Sequence, residues 1–217
     1  MIEEALSTRD GNRVFHRHEH LARHAQKTDH IFKIEEGWAC QYRLLIDGRR
    51  QIITLFLPGE YCEPQWLFQG TATLPVVALT RLRARSLSLT GIHRRTSQEA
   101  DGMTSILESL LTVLNRREQW IFNLGRLSAT ERLCSLLCEL FERLKRTCHV
   151  IENRYVMPLT QYDLADIVGL SAVHVNRVLQ MLRAERLIEL HGKRLTVLNI
   201  DGLRRLAVMP NSQRATA

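Results

Sequence analysis

The side chains in this sequence that are best suited to chemistry are basic ones near the C-terminal end. Residues 171–194 contain five Lys or Arg against two Asp or Glu. Lys193 and Arg194 follow His191-Gly192, at a predicted tight turn between two short apolar runs. Positive charge at the tip of such a turn can approach a phosphate backbone, so the segment indicates binding to a polyanion.

The residues that would position these charges form a helix-turn-helix pattern over 160–183, TQYDLADIVGLSAVHVNRVLQMLR. Thr160 or a neighbour can cap a short first helix, Gly169 can take the left-handed conformation of a sharp turn, and Ser171 can cap a second helix. Ala165 is small where the two helices would approach most closely. The other constrained positions are apolar: Leu164, Val168, Leu170, Val175 and Val178. A plain helical hairpin would not need all these residue types together, so the pattern favours a DNA reader.

Two β-like runs, 187–190 and 195–198, flank the tight turn and predict a wing after the second helix. Across the whole chain, 30 Lys and Arg against 23 Asp and Glu give a formal charge of +7, and the sequence pI is near 9.5. Such a surface attracts polyanions, although a basic protein need not bind nucleic acid. The expected partner is double-stranded DNA.

The composition of the 217 residues is that of a globular protein with two domains. No apolar run approaches the length of a membrane span, and Met1–Asp10 lacks the pattern of a signal peptide, so a cytoplasmic protein without membrane contact is expected. There is no nucleophile-base motif, Gly-rich phosphate loop or dense carboxylate pair, so no enzyme is predicted.

The N-terminal half contains short apolar runs of strand length, with turn signals between them. Asp47-Gly48 predicts a β-hairpin between two of these runs, and Pro58-Gly59 follows the second. Many short strands of this kind predict a small barrel or jelly roll, with no useful helix before about residue 100. The runs are Ile31–Ile34, Cys40–Ile46, Gln51–Leu57, Val76–Leu79 and Leu82–Leu89.

A long helix with a coiled-coil pattern is predicted next. Arg117 interrupts its apolar stripe, and Gly125 is expected to end the helix. Ser128 with Glu131 forms a capping-box pattern for a second helix, which runs to about Lys145. We expect the stripe to pair two subunits, the alternative being that it packs on its own barrel. The stripe comprises Met103, Ile106, Leu110, Val113, Trp120 and Leu124.

Two segments together resemble the Crp/Fnr family of bacterial transcription regulators. GWACQYRLLIDGRRQIITLFLPGEY, at 37–61, is similar to the middle of the family's cyclic-nucleotide-binding-type barrel. PLTQYDLADIVGLSAVHVNRVLQMLRAERLIEL, at 158–190, is similar to its helix-turn-helix. The resemblance implies an α+β chain with a β jelly-roll sensor domain (1–98), a dimerisation helix (99–125) and a winged helix-turn-helix domain (126–217).

By the same resemblance, a homodimer would place one recognition helix per subunit in successive major grooves and bend the DNA. Arg177 could give two hydrogen bonds to a guanine, and Asn176 could read adenine or bind phosphate. Many relatives carry Glu where this chain has Val173, which could instead meet a thymine methyl. The residues implied in DNA binding are Thr160, Gln161, Ser171, Ala172, Val173, His174, Asn176, Arg177, Lys193 and Arg194, with Thr160, Gln161 and His174 on the backbone.

The barrel departs from two effector-binding patterns found among the relatives. Relatives that bind cAMP use a Gly-Glu pair and an Arg-Ser pair, but this chain has Glu63-Pro64 and Thr73-Leu74-Pro75 at the aligned positions, so we expect no cAMP response. Oxygen-sensing relatives hold an iron-sulfur cluster on N-terminal cysteines. Only Cys40 and Cys62 precede the long helix, so no such cluster is expected. Arg81, Arg83 and Arg85 alternate and could offer another anion site, or form a solvated face.

Other metal-binding patterns have ordinary explanations. His16, His18 and His20 would share one strand face and could hold a metal or haem, but charged neighbours mark the segment as surface. Cys134 and Cys138 lie four apart among leucines, so buried thiols are favoured over a metal clip or redox pair. No cofactor or metal is predicted, and the five scattered cysteines, Cys148 included, are expected to be reduced.

Two alternative hypotheses of function stay open. A metal- or haem-responsive regulator could use the N-terminal histidines, and a non-DNA module could bind a ligand in its barrel and a protein through its tail. The second reading leaves the wing and Arg177 unexplained. If the protein is an activator, RNA polymerase is a further expected partner.

Overall fold

The computed structural model describes residues 11–88, 92 and 100–207, with side chains in the long helix described from residue 104 onward. The chain divides into two compact units. The first comprises Met1–Arg43 and Ile53–Arg117, and the second comprises Leu44–Ile52 and Glu118–Ala217. The expected boundary at residues 98 and 99 lies outside the described residues, as do Met1–Asp10.

Two four-stranded sheets form the N-terminal part, with strand orders β1-β8-β3-β6 and β2-β7-β4-β5. Their shared core includes Phe15, Ile31, Trp66 and Ile106, so the predicted jelly roll is confirmed. The elements are β1 (Gly11–Phe15), β2 (His20–Ala22), β3 (His30–Glu36), β4 (Ala39–Leu44), β5 (Arg50–Phe56), β6 (Tyr61–Cys62), α1 (Trp66–Gln69), β7 (Val76–Ala78) and β8 (Leu82–Ser88).

The five predicted apolar runs correspond to β3, β4, β5, β7 and β8, although Leu89 lies outside the described residues. The hairpin at Asp47-Gly48 is also confirmed, because Gly48 has a φ of 86° and its N–H donates to the Leu45 carbonyl at 3.0 Å. The sequence did not indicate β1, β2, β6 or α1, which are two to five residues long and therefore too short to show a period.

Two long helices follow, α2 (Ala100–Arg126) and α3 (Ala129–Arg146). Ser128 caps α3 with Glu131 in the predicted capping box: the Ser128 N–H donates to Glu131 Oε2 at 2.6 Å, and the Glu131 N–H donates back to Ser128 Oγ at 3.4 Å. Gly125 does not end α2, which continues through it to Arg126. Glycine is compatible with a helix at that position, although it favours one less than alanine does.

The C-terminal part contains a helical pair and a three-stranded sheet of order β10-β11-β9. The predicted wing corresponds to β10 and β11, and β9 and α6 were not predicted. The elements are β9 (Arg154–Val156), α4 (Gln161–Val168), α5 (Ala172–Ala184), β10 (Ile188–His191), β11 (Arg194–Val197) and α6 (Ile200–Leu206).

Gly37, between β3 and β4, occupies a position in the barrel that no other residue fits. Its φ is +84°, and a Cβ there would overlap the backbone carbonyl of Arg81 and the hydroxyl of Thr80. Gly48 has a similar φ of +86° but open space where its Cβ would be. The two glycines therefore separate the cost of a left-handed conformation from the cost of a steric clash.

We expect Gly48→Ala to lower the free energy of unfolding by about 1–2 kcal/mol, the usual cost of a left-handed L-residue. Gly37→Ala should cost about 1–3 kcal/mol more, because rigid backbone must also move. Urea unfolding at constant slope measures both. Equal losses in the two variants would show that the close approach at Gly37 does not constrain the fold.

Candidate nucleic-acid interface

The start of α4 is fixed by a reciprocal cap. Thr160 Oγ1 accepts from the Asp163 N–H at 3.1 Å, while Asp163 Oδ2 accepts from the Thr160 N–H at 3.0 Å and from its hydroxyl at 2.7 Å. Gly169 follows α4 with a φ of 65°, and Ser171 Oγ caps α5 by accepting from the His174 N–H at 3.2 Å. The three positions predicted to set the helix-turn-helix therefore set it.

The apolar positions of the motif form the interior of the helical pair. Leu164, Ala165, Val168, Val175 and Val178 are all buried, as predicted, while Leu170 is partly exposed. Burying these faces leaves the opposite face of α5 in solvent, since an α-helix presents residues three and four apart on the same side.

That solvent face carries the predicted base-reading residues. Val173, His174 and Arg177 are exposed, and Ala172 and Asn176 are half-buried. Within the described part of the chain, the Arg177 guanidinium has no ion pair or hydrogen bond, in contrast to arginines such as Arg143 that pair with a carboxylate. Its donors are therefore available to an acceptor outside the chain.

The wing presents the two other predicted cations. β10 and β11 pair antiparallel with His191 opposite Arg194, so Gly192, with a φ of 59°, and Lys193 form the turn. The Lys193 carbonyl accepts from the Met157 N–H at 2.8 Å, which ties the turn to the chain while both cationic side chains stay exposed. Thr160, Gln161 and Ser171, the remaining predicted contacts, are exposed as well.

Tyr162 belongs to the same exposed region and was missed in the sequence. Its side chain is 74% exposed in the first turn of α4, next to Gln161. An exposed phenol can donate to a phosphate oxygen. The available signal was an aromatic residue at a position of the first helix where burial does not require one.

An ion triad holds α4 from its other side. Arg50 Nη2 donates to Asp163 Oδ1 and Arg50 Nε donates to Asp166 Oδ2, each at 2.6 Å. Gln51 Nε2 donates to the Ile167 carbonyl at 2.9 Å. Residues 44–52 thus belong to the second compact unit through hydrogen bonds to the first helix of the motif, a contact that no local sequence signal indicates.

Arg132 supports the turn of the motif. Its Nε donates to the Leu127 carbonyl at 2.8 Å, and its Nη1 donates to the Val168 carbonyl at 3.3 Å. The second acceptor is one of the final carbonyls of α4, which have no partner inside the helix. Arg132 therefore joins α3 to the turn between α4 and α5.

The Asp163 carboxyl accepts hydrogen bonds from both Thr160 and Arg50. Burial by itself would raise the pKa of Asp163, but the hydrogen bonds from Thr160 and Arg50 and the charge of Arg50 outweigh burial and hold the pKa below its usual value. The carboxylate is therefore ionised at neutral pH, where it both caps α4 and binds Arg50.

The predicted dimer seam is wrong for three of its residues. Ile106, Val113 and Trp120 are buried within their own chain, with Ile106 in the core of the jelly roll. Leu110 and Leu124 are half-buried, and the side chain of Met103 lies outside the described residues. For Ile106 the alternative prediction, packing on its own barrel, is confirmed, because this side chain lies in the jelly-roll core.

The N-terminal histidines are not arranged as predicted. β1 ends at Phe15 and β2 begins at His20, and His18 between them has a φ of 69°, so the three histidines do not share a strand face. His20 instead bonds the Tyr42 hydroxyl at 3.1 Å. Over residues 11–88, 92 and 100–207, no three His, Cys, Asp or Glu side chains are grouped to hold a metal.

The possible anion site on β8 is occupied by acids of the same chain. Arg83 pairs with Glu35 at 3.1 Å and with Glu36 at 2.8 Å, and Arg85 approaches Glu35 at 3.5 Å. Arg81 is exposed and in no ion pair among the described side chains. Two of the three arginines, Arg83 and Arg85, thus have their charges paired with acids of the same chain.

Cys134 and Cys138 are buried in α3, as favoured from the sequence. Burial raises the pKa of each thiol to about 12, so both stay protonated at neutral pH and are poor metal ligands and nucleophiles. None of the helices in the described ranges is both long and apolar enough to span a membrane.

Comparison with known families agrees with this geometry. A cyclic nucleotide-binding domain model matches residues 12–112, and a Crp-like helix-turn-helix domain model matches residues 131–206. The chain is 30% identical over 179 residues to the nitrogen fixation regulation protein FixK of Rhizobium meliloti strain 1021, covering 82% of this chain and 78% of that protein. The chain therefore belongs to the Crp/Fnr family of DNA-binding transcriptional regulators.

Other relatives give the same assignment. The transcriptional activator protein FnrL of Cereibacter sphaeroides is 29% identical over 176 residues, which covers 77% of this chain and 68% of FnrL. Among solved structures, FixK2 from Bradyrhizobium japonicum superposes with a TM-score of 0.82 at 22% identity, covering 93% of this chain and 99% of that chain. A Crp-family transcriptional regulator from Thermus thermophilus superposes with a TM-score of 0.71 at 20% identity, covering 91% and 97%. These two structures share the fold.

The triad at Asp163 predicts a pH-dependent stability. Because folding lowers the pKa of Asp163, its ionised form stabilises the fold above the usual value of 3.8, and that contribution is lost as the pH falls further. Asp163→Asn should therefore cost about 1 kcal/mol at neutral pH, and the difference from wild type should shrink below about pH 4.

Urea unfolding across that pH range measures the effect. Asp47→Asn serves as the control, since its carboxylate pairs with Arg49 at an exposed turn and should contribute nothing measurable. A pH-independent difference between wild type and Asp163→Asn would contradict the assigned role of the charge.

Proposed function

We propose that the chain binds an inverted-repeat operator as a homodimer, with one α5 helix in the major groove of each half-site. The observation that carries this proposal is the exposed face of α5, where Arg177 has no partner in the described part of its own chain. Two identical subunits related by a two-fold axis read identical half-sites about one helical turn apart, which makes the operator an inverted repeat.

The recognition face favours particular bases. The Arg177 guanidinium fits O6 and N7 of guanine, and Asn176 fits adenine or a phosphate. Val173 offers an apolar contact to the thymine methyl. Because α5 (AVHVNRVLQMLRA) contains no Asp or Glu, it has no carboxylate to accept from the amino group of cytosine. Each half-site should therefore contain a guanine for Arg177 and favour thymine opposite Val173.

Contacts to the DNA backbone surround this face. Thr160, Gln161 and Tyr162 at the start of α4 have hydroxyl or amide groups that can donate to phosphates. Lys193 and Arg194 on the wing add charge, which raises affinity for all sequences alike. His174 is exposed beside the base-reading residues and is assigned to the backbone.

The dimer seam is reassigned to the exposed face of α2, since Ile106, Val113 and Trp120 of the predicted stripe are buried in their own chain. A second copy of the chain is the occupant that fits it, because the exposed residues repeat at intervals of four, three and seven, the spacing of a coiled-coil seam. Isolated exposed leucines are common, but a continuous stripe in water is costly. The exposed residues at this spacing are Leu107, Leu111, Leu114 and Ile121, and Phe122 is exposed beside Ile121.

We propose that this regulator needs neither cAMP nor an iron-sulfur cluster. Glu63 occupies the aligned position of the ligand pair and is completely buried, and a buried carboxylate there would repel a cyclic phosphate. FixK is named a regulation protein and FnrL an activator. The name of FnrL supports activation as the role of this chain, with RNA polymerase as a further partner.

Two substitutions distinguish base recognition from general electrostatic attraction to DNA. Arg177→Ala should lower affinity for the selected operator by about 1–3 kcal/mol and relax the preference at one base pair of each half-site. Lys193→Ala should weaken binding to all duplexes and reduce the slope of log affinity against log salt by about one. Fluorescence titrations at several salt concentrations, with operator and scrambled duplexes, measure both. Equal binding by wild type and both variants would exclude the proposed interface.

The reassigned seam predicts a dimer that a single charge disrupts. Leu111→Glu should raise the dimer dissociation constant by at least about tenfold, because a carboxylate would be buried among apolar side chains. Leu44→Glu is a closely matched control, since the two leucines are 58% and 60% exposed but Leu44 lies outside the stripe. Sedimentation equilibrium measures both. A dimer that tolerates Leu111→Glu as well as Leu44→Glu would place the seam elsewhere.

A further inference from the structure

The side chain of Arg117 joins α2 to both sheets of the jelly roll. Its Nε donates to Thr54 Oγ1 on β5 at 3.1 Å, and its Nη2 donates to Gln41 Oε1 on β4 at 3.0 Å. The same Nη2 donates to Glu63, which directly follows β6 of the other sheet. One guanidinium thus contacts three strands or strand ends in two sheets.

The acceptors of Arg117 are inside the barrel. Gln41, Thr54 and Glu63 are buried, and the Glu63 side chain has no solvent exposure. Burial raises the pKa of Glu63, and the charge of Arg117 opposes that rise. A buried carboxylate is costly without a counterion, and Arg117 supplies one at this place.

The same interior does not fit the ligand of the matching domain model. A cyclic nucleotide is an anion and needs cationic donors free to receive it. Here Arg117 already binds Glu63, and the carboxylate would repel a phosphate in its vicinity. The chain therefore supplies its own anion where a nucleotide-binding barrel would receive one.

Arg117 also lies on the inward face of α2. It is four residues after Val113 and three before Trp120, both of which are buried, so the three share one side of the helix. A helix held on this side must present Leu114 and Ile121 outward. The guanidinium therefore fixes the rotation of α2 about its own axis, which apolar contacts alone fix less firmly because they are non-directional.

We infer that the Glu63–Arg117 pair is a built-in substitute for an anionic effector, which sets the rotation of α2 and presents the dimer seam without a small ligand. Arg117 is a positioning residue that acts on DNA binding through α2. The inference rests on the proposed homodimer, because the feature that the Glu63–Arg117 pair would control is the orientation of the homodimer's seam.

Cysteine cross-linking across the seam measures the rotation directly. Parallel two-fold-related helices bring identical seam positions together, so Leu114→Cys should form an intersubunit disulfide on mild oxidation. Cys148→Ser is included in the parent, because Cys148 is exposed while Cys40, Cys62, Cys134 and Cys138 are buried. The full-length chain is used throughout, with operator affinity measured alongside.

The deciding variant is Glu63→Gln/Arg117→Met, which removes both charges and leaves no unpaired ion inside the barrel. We expect it to fold with the circular dichroism of the parent, to cross-link at residue 114 about tenfold more slowly, and to bind the operator about tenfold more weakly. A cross-linking rate and an operator affinity within about twofold of the parent would overturn the inference. In that case the two charges would neutralise each other inside the barrel without setting the rotation of α2.

Glu60→Gln/Arg116→Met is the matched control. Arg116 pairs with Glu60 at 2.9 Å one residue earlier in α2, with both side chains partly exposed. The cross-linking rate and the operator affinity of this control variant should stay within about twofold of the parent. A loss as large as that of Glu63→Gln/Arg117→Met would also overturn the specific role of Arg117.

If Glu63→Gln/Arg117→Met does not fold, the single variant Arg117→Lys tests the inference instead. Lysine keeps the charge beside Glu63 but lacks the planar fork that reaches three acceptors, so cross-linking should slow by about threefold or more. Cross-linking at the parental rate would overturn the inference.

Added cAMP should leave the operator affinity of the parent unchanged. Increased affinity would overturn the inference and the proposed independence of cAMP, while leaving the proposed operator binding by a homodimer intact. A parent that neither cross-links nor binds any duplex would overturn the proposed function and, with it, this inference.

Discussion

The rotational setting of α2 is the constraint on which the functional account depends. This helix buries Ile106, Val113 and Trp120 in its own chain and leaves a second apolar stripe in solvent. Apolar burial has no direction of its own, whereas a guanidinium bonded to a fixed carboxylate does. In the proposed homodimer, Arg117 and Glu63 therefore set which stripe of α2 is presented to the second copy.

The helical pair that reads DNA also depends on one charged side chain with several partners. Asp163 caps α4 through Thr160 and accepts from Arg50, so one carboxylate fixes both the start of the helix and its contact with residues 44–52. Arg132 adds a hydrogen bond at the other end of α4. With its supports satisfied inside the chain, α5 can leave its outer face without internal partners, which is what a base-reading surface requires.

The sequence was sufficient for the parts of the fold that are set locally. Caps at Thr160 and Ser171, a left-handed Gly169 and apolar positions three or four apart identify the helix-turn-helix because each depends on near neighbours. The seam could not be predicted in the same way, because α2 carries apolar residues on two faces, and contacts distant in sequence bury Ile106, Val113 and Trp120 on one of them. Arg117 was visible only as an interruption, as its partner Glu63 is 54 residues away. The Arg50–Asp163 contact spans 113 residues, which no periodicity reports.

Selection of binders from a random duplex library, with purified full-length protein at near-physiological salt, tests the central claim most directly. Nonspecific binding is weak under those conditions, so enrichment reports sequence reading. The account predicts recovery of an inverted repeat with a guanine in each half, the half-sites being about one helical turn apart. A folded dimer that enriches no sequence, or that enriches a single half-site without its repeat, would contradict it.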